Sequence, residues 1–380
     1  MKKFSAFFLA AAMILSLAAC GNDSSKESNK GNLVQTNDGG GTKEQNTGED
    51  AENKKPETIL VTCLNGASET VQVEVPYDPQ RIAVVDMAML DIIDNLGLGS
   101  RVVGSSTTSL DYLQGYVTNP SIANLGSIKE ADLEALMGCE PDIILMGGRM
   151  SDSYDAFCEI APVIRLTSDS GIGVLESTRQ NAKTVASIFG KEDEVDAKFT
   201  DFDGRIAALK EIALGKTAVV GMCTSGSFNV VGNGGRCSII GVEVGFENLC
   251  NDVSTTGGGN GASGGSEGGR GGREGTGSGE GGTKSSGSNG SNHGTESSFE
   301  LIVSLAPDYI FVMDRDAAIG TNGAQLAKEI MENELIMKTD AYQNGNLIIL
   351  EHPGIWYTAE GGITSFGIML SDLESALLDK

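Results

Sequence analysis

An α/β fold of two Rossmann-like lobes joined by a long α-helix is the class the sequence predicts, and three observations carry the prediction. Short apolar runs alternate with helical patterns along residues 57–380, the signature of βα units and a parallel sheet. A block in the first half returns in the second: "EPDIILMGGR" at 140–149 and "APDYIFVMDR" at 306–315 end on arginines 315 − 149 = 166 residues apart, and "DLEALMGC" and "SFELIVSL" lead into them. Between the halves, from about residue 175 to 214, Val195, Phe199, Phe202, Ile206 and Leu209 recur at spacings of three and four, so one helical face is apolar.

The elements follow in chain order. Lys2 and Lys3 precede an apolar run over residues 4–19, the charged start and short apolar core of a secretory signal, too short for a membrane span. The run ends in "LAAC" at 17–20, which resembles the bacterial lipobox, and that resemblance implies lipidation of Cys20. Two or more acyl chains on one residue suffice for stable anchoring. Residues 20–56 hold almost no large apolar side chain and are expected to be a disordered tether. "ETILVTCLNGASETVQVEV" alternates apolar and polar residues around "NGAS", a hairpin signal. "RIAVVD" is a buried strand, and "MAMLDIIDNLGLG" a helix closing on glycine. "RVVGSS", the helix–turn–strand "DLEALMGCEPDIILMGG" and "APVIRL" complete an N-terminal lobe over 57–173.

The linking helical region spans 174–215, with a break near Gly190. The C-terminal lobe, 216–380, carries strands in "TAVVGMC", "SFNVVG", "PDYIFVMD" and "NLIILE", and closes on the helix "TSFGIMLSDLESALLD". Residues 254–292, mostly glycine and serine with scattered charge, read as a flexible insertion whose length adds little entropy cost.

Composition excludes some classes. A net charge of −25 without a basic stripe argues against nucleic acid as a partner. Seven cysteines leave six beyond Cys20, none at metal-ligand spacing, and these read as buried free thiols. Two histidines, His293 and His352, are too few for a polyhistidine metal cage.

Ligands bind α/β sheets beyond the carboxyl ends of strands. Arg149 and Arg315 stand there, and Arg236 follows "FNVV" through a glycine turn. Guanidinium groups gathered in one cleft repel each other and call for an anion, which arginine grips through paired hydrogen bonds. Tyr357, after "LIILE", and His293, ahead of the "SFELIVSL" helix, offer oxygen and imidazole donors suited to ferric iron. Trp356 beside Tyr357 is a candidate pocket wall.

From residue 77 onward, leaving out the glycine-rich insertion, the chain resembles the substrate-binding lipoproteins of ferric-siderophore ABC importers, a helical-backbone periplasmic-binding-protein fold. "NLGSIKEADLEALMGCEPDIILMGGRMSD" is most similar to the branch that binds catecholate siderophores such as petrobactin. The resemblance implies ligand-binding roles for Arg149, Arg236 and Arg315. It also implies iron ligation by His293 and Tyr357 where the chelator leaves positions open, and permease docking through Glu134 and Glu300, one glutamate per lobe. Two departures stand out: the insertion falls directly before His293, and Cys237 follows Arg236.

The expected function is capture of an anionic ferric siderophore, catecholate type favoured, and its delivery to the permease subunits. The Fe(III)-siderophore is then cargo, with no permanently bound cofactor and no catalysis. The expected setting is the extracytoplasmic face of the cell membrane, lipid-anchored, on a Gram-positive surface, with the protein a monomer. Binders of haem, cobalamin or a hydroxamate siderophore remain alternatives. An enzyme is a further one, although "VVDMAMLD" stands where a glycine-rich phosphate loop would follow the first strand, and an adhesive surface lipoprotein is the last.

Overall fold

A computed structural model describes residues 56–169, 171–251, 295–296 and 299–378. The signal segment, Cys20 with most of its tether, the insertion 254–292 and His293 lie outside the described residues. Among the described residues no helix is long and apolar enough to cross a membrane.

The first sheet has seven strands: β1 (Thr58–Leu64), β2 (Thr70–Pro76), β3 (Ile82–Val84), β4 (Val102–Ser105), β5 (Ala123–Asn124), β6 (Ile143–Met146) and β7 (Val163–Arg165). Their spatial order is β2-β1-β7-β6-β3-β4-β5. β3 to β7 run parallel, and the expected hairpin β1–β2 adds an antiparallel edge through the pair Leu64–Arg165. From β3 the chain winds outward to β4 and β5, then returns to the other side for β6 and β7. The topological switch point therefore lies between β3 and β6, where open α/β sheets hold ligands.

The second sheet holds β8 (Thr217–Thr224), β9 (Ser227–Val230), β10 (Glu247–Asn248), β11 (Thr295–Glu296), β12 (Tyr309–Asp314) and β13 (Leu347–Ile349). The order is β11-β9-β8-β12-β13, with β10 also beside β8. β8, β12, β13 and β10 are mutually parallel, but β9 folds back on β8 through Ser225 and Gly226, both at positive φ (52° and 78°). This two-residue reversal matches the twist of a hairpin and makes the sheet mixed.

The repeat read in the sequence is a repeat of structure. Glu140 and Ala306, 166 apart, both take the left-handed conformation that ends the preceding helix (φ 44° and 45°). Asp142 Oδ2 accepts the backbone amides of Gln80 and Arg81 at 2.8 and 2.9 Å; Asp308 Oδ2 accepts the amide of Thr217 at 2.9 Å. Each aspartate thus fastens the start of the neighbouring central strand, β3 or β8. Leu136 and Ile302, again a repeated pair, are both fully buried beneath their helices.

The linking region breaks where the sequence places the break, with Gly190 at φ 63°, but the break reverses the chain. Helices Val174–Ile188 and Glu192–Ala213 run antiparallel: Arg179 bonds Asp203 at 3.0 Å and stacks 5.3 Å over Phe199, and Lys183 meets Asp196 at 2.6 Å. Only the second, about 33 Å at 1.5 Å per residue, is the long helix. The expected linking helical region with its break near Gly190 is a helical hairpin.

The C-terminal helix Ile363–Leu378 joins the halves. Its first three amides, of Ile363, Thr364 and Ser365, donate to the carboxylate of Asp91 at 2.9 Å each. Asp91 belongs to the helix Met87–Asn95 that follows β3, so one lobe supplies the N-terminal cap for a helix of the other. Arg205 of the long helix then grips Glu374 with two bonds of 2.8 and 2.7 Å. The largest of three apolar clusters runs from Val61 through Phe199 and Val220 to Leu377, and two smaller ones lie around Val219 and Ile310 and around Leu136 and Ile144.

Candidate functional site

Arg149 and Asp86 occupy the switch point. Asp86 ends the "RIAVVD" run and caps the helix Met87–Asn95, its Oδ1 accepting the amides of Ala88 and Met89 at 2.9 and 3.2 Å. Its other oxygen lies 3.8 Å from Arg149 Nη1. Gly147, after β6, passes so close to this carboxylate that any side chain there would collide with it. Burial pushes the Asp86 carboxyl above its ordinary range, while Arg149 and the two amides pull it back.

Tyr357 is the centre of the site. It lies buried on the short helix Pro353–Thr358 after β13. Its carbonyl accepts Arg149 Nη2 at 2.7 Å, across the interface between the lobes. Its ring lies under Arg236, whose guanidinium carbon is 4.4 Å from the centroid, and within 5.6 Å of Arg315. Its hydroxyl accepts Arg315 Nε at 3.3 Å. Arg315 also reaches Thr224 Oγ1 at 3.3 Å and Asp316 Oδ1 at 3.2 Å. Three arginines distant in sequence therefore converge on one tyrosine.

Arg236 arrives, as the sequence suggests, through the glycine turn that follows β9, a strand that runs antiparallel to β8. The loop 232–236, followed by Cys237 in the left-handed conformation (φ 63°), sets it over the ring. Its Nε is buried without a hydrogen-bond partner. Burial, helped by nearby Arg149, lowers its pKa.

Glu360 escaped the sequence reading. It lies three residues after Tyr357 and lines the same cleft, a space of about 220 Å³ bounded also by Asp86, Arg149, Arg236, Ser168 and Asn181. Burial pushes its carboxyl up to about 7, against the pull of Arg236, the Cys237 amide and Arg149, with Glu243 adding repulsion. Nothing in "TAEGG" announces this role, which depends on what folds against it. Asp86 did have a signal, being the capping residue at the end of the first parallel strand.

Trp356 is a correction. Its side chain is fully buried, and its indole N–H donates to Asp372 Oδ2 at 2.8 Å, so it is a core residue and not a wall of the cleft. Helical geometry explains this: adjacent residues on a helix point about 100° apart, so Tyr357 in the cleft turns Trp356 towards the C-terminal helix. His352 beside it bonds Asp372 Oδ1 at 2.6 Å. Glu134 and Glu300 are both exposed, each in the first turn of the helix before its repeat strand. The six described cysteines are free: Cys158 is exposed, and Cys63, Cys139, Cys223, Cys237 and Cys250 are buried.

The chain matches the periplasmic binding protein family over residues 82–260. It is 30% identical over 383 aligned residues to the petrobactin-binding protein YclQ of Bacillus subtilis (strain 168), covering 99% of both chains. The crystal structure of that Bacillus subtilis protein superposes with a TM-score of 0.68 at 28% identity, over 84% of this chain and 99% of the other. The periplasmic catecholate-siderophore binding protein VctP of Vibrio cholerae superposes with a TM-score of 0.66 at 26% identity, over 83% and 100%.

Proposed function

Because this chain belongs to the periplasmic binding protein family, we propose that it is the extracytoplasmic substrate-binding component of an ABC importer and captures an anionic ferric siderophore, catecholate type favoured. The observation that carries this reading is the convergence of Arg149, Arg236 and Arg315 on Tyr357 from both sides of the interface. Stacking on a neutral ring leaves guanidinium charge available. A ferric catecholate brings several anionic oxygens in a rigid array, and charge-assisted bonds to them offset the desolvation of the arginines. A neutral or cationic chelate leaves those charges unpaired and is rejected. The buried, unpartnered Nε of Arg236 is one donor such an oxygen would satisfy.

The iron is cargo. Where the chelator fills fewer than six positions, Tyr357 Oη and His293 are the donors we assign to complete the sphere. The loaded protein docks on the permease through Glu134 and Glu300, exposed on equivalent helices of the two lobes. Cys20 carries the lipid that keeps the protein at the membrane. The cleft of about 220 Å³ is below the roughly 300–1,000 Å³ usual for small-molecule sites, so the lobes part to admit a chelate. The Asp91 cap and the Arg205–Glu374 pair limit that movement.

The test is titration of the protein with a ferric catecholate, a ferric hydroxamate and haem, read by quenching of Trp356, which adjoins Tyr357. Saturable binding of the catecholate alone, weakened at least tenfold in Arg149→Ala and Arg236→Ala, is expected. Equal binding of the controls, insensitive to both substitutions, overturns the anionic-chelate reading.

A further inference from the structure

A second group of chemistry-bearing side chains lies outside the cleft, at the start of the helix that carries Tyr357. The amide of Leu350 donates to the Val312 carbonyl at 2.9 Å and so holds the end of β13 against β12, and Glu351 and His352 follow directly. Pro353 then opens the helix Pro353–Thr358, its ring fixing the backbone of the first turn. Asp372 approaches from the C-terminal helix Ile363–Leu378. One donor atom from each of Glu351, His352 and Asp372 lies within 4.8 Å of the other two. None of the three lines the cleft.

The carboxylate at the base of this group is locked. Asp372 is 3% exposed, and its Oδ2 accepts the Trp356 indole N–H at 2.8 Å and the His352 amide at 3.2 Å. Outer bonds of this kind orient ligating carboxylates in metal sites. Its Oδ1 stands 2.6 Å from His352 Nδ1. Among the described residues that imidazole is the only ion-pair partner of Asp372, and no lysine or arginine pairs with Glu351. A buried carboxylate without a fixed cation, and a second carboxylate beside it, make a local negative potential that a cation would relieve.

Donor type decides which cation. Carboxylates alone suit calcium or magnesium, whereas an imidazole among them suits zinc or copper. Bonds of ~2.0–2.1 Å place the donors of a tetrahedral ion roughly 3.3 Å apart. Small rotations of Glu351 and His352, both exposed, bring the three donors to that spacing while Asp372 stays in place.

We propose that Glu351, His352 and Asp372 bind one divalent transition cation, of the zinc or copper class, at a site separate from the cleft. The cation replaces the proton that His352 Nδ1 and Asp372 Oδ1 share, and that proton leaves to solvent. Water completes the sphere. The bound ion ties the start of Tyr357's helix to the C-terminal helix, and it does so whether or not the cleft takes a siderophore.

Cu²⁺ is the probe, because it is paramagnetic and quenches a nearby indole. Trp356 is the only tryptophan in the chain and bonds Asp372, and His293 is the only other histidine. The metal-stripped full chain, free of any siderophore, is titrated with Cu²⁺ and followed by Trp356 emission and by electron paramagnetic resonance. The expected result is saturable quenching at one Cu²⁺ per chain, nitrogen hyperfine coupling from one imidazole, and displacement by Zn²⁺ but not by Mg²⁺. His352→Gln loses the nitrogen coupling, and Glu351→Gln binds at least tenfold more weakly. The absence of saturable quenching in the parent, a nitrogen signal that survives His352→Gln, or an affinity unchanged in Glu351→Gln overturns the site. Glu351 is exposed and makes no hydrogen bond or ion pair among the described residues, so its variant stays readable even where the His352 variant fails to fold.

Discussion

Replacing Asp91 with alanine should be among the most damaging single changes in this protein, although Asp91 does not line the cleft. Its carboxylate accepts the amides of Ile363, Thr364 and Ser365, the Tyr112 hydroxyl at 2.7 Å and the Asn95 side chain at 2.8 Å. Two of those three amides belong to the buried residues Ile363 and Ser365. An orphaned buried donor costs ~1–3 kcal/mol, and loss of an N-cap alone costs ~0.5–2 kcal/mol. Together these put Asp91→Ala at about 3–4 kcal/mol less stable. Guanidinium unfolding followed by Trp356 emission measures it, because Trp356 is wholly buried and bonded to Asp372 of the capped helix. The midpoint should fall with little change in slope. Asp91→Asn, which keeps one acceptor but turns an N–H₂ towards the donors, should also lose stability. A loss below about 1 kcal/mol in the alanine variant would refute the reasoning that this cap ties the lobes together.

Other outcomes follow from particular groups. The Glu360 carboxyl is raised from an ordinary 4.5 to about 7 by burial, so the folded state binds its proton more tightly than the unfolded chain does. Its contribution is fully favourable below pH 4.5 and is lost as pH rises to 7, by up to about 3 kcal/mol at ~1.4 kcal/mol per pH unit. Glu360→Gln should therefore gain on the parent over that window in urea midpoints taken at pH 5 and pH 8; a constant difference would count against it. Native-state thiol labelling should reach Cys158 first among the six described cysteines, because it alone is exposed; mass mapping of the labelled peptides checks this. Metabolic labelling with a fatty acid should mark the parent and not Cys20→Ala, and label retained by the variant would refute the lipid anchor.

Local chemistry was legible in the chain. The hairpin at "NGAS", the break at Gly190 and the strands ending at Arg149 and Arg315 follow from turn residues and apolar period, which act over a few neighbours. The repeat was legible too, and it extended to roles: Asp142 and Asp308 could be matched by spacing before either was seen to gather strand amides. The direction of β9 was not legible, because Ser225–Gly226 reverses the chain by backbone angles that the surrounding strand pattern does not encode. The turn of the linking helices back on each other was hidden for the same reason. A glycine marks a break, and only packing such as Arg179 on Phe199 decides its angle.

The amino-acid sequence by itself determined the α/β class, the doubling, and the presence of three strand-end or loop arginines with a tyrosine and a glutamate pair. These are properties of residue type and spacing. Tertiary structure alone decided that Arg149, Arg236 and Arg315 meet on one ring, that Trp356 belongs to the core, that Asp91 caps a helix 272 residues away, and that Glu360 lines the cleft. The physical reason is range. Propensity and period describe a side chain against its own neighbours, whereas burial, charge pairing and unsatisfied hydrogen bonds exist only between segments that the fold has brought together.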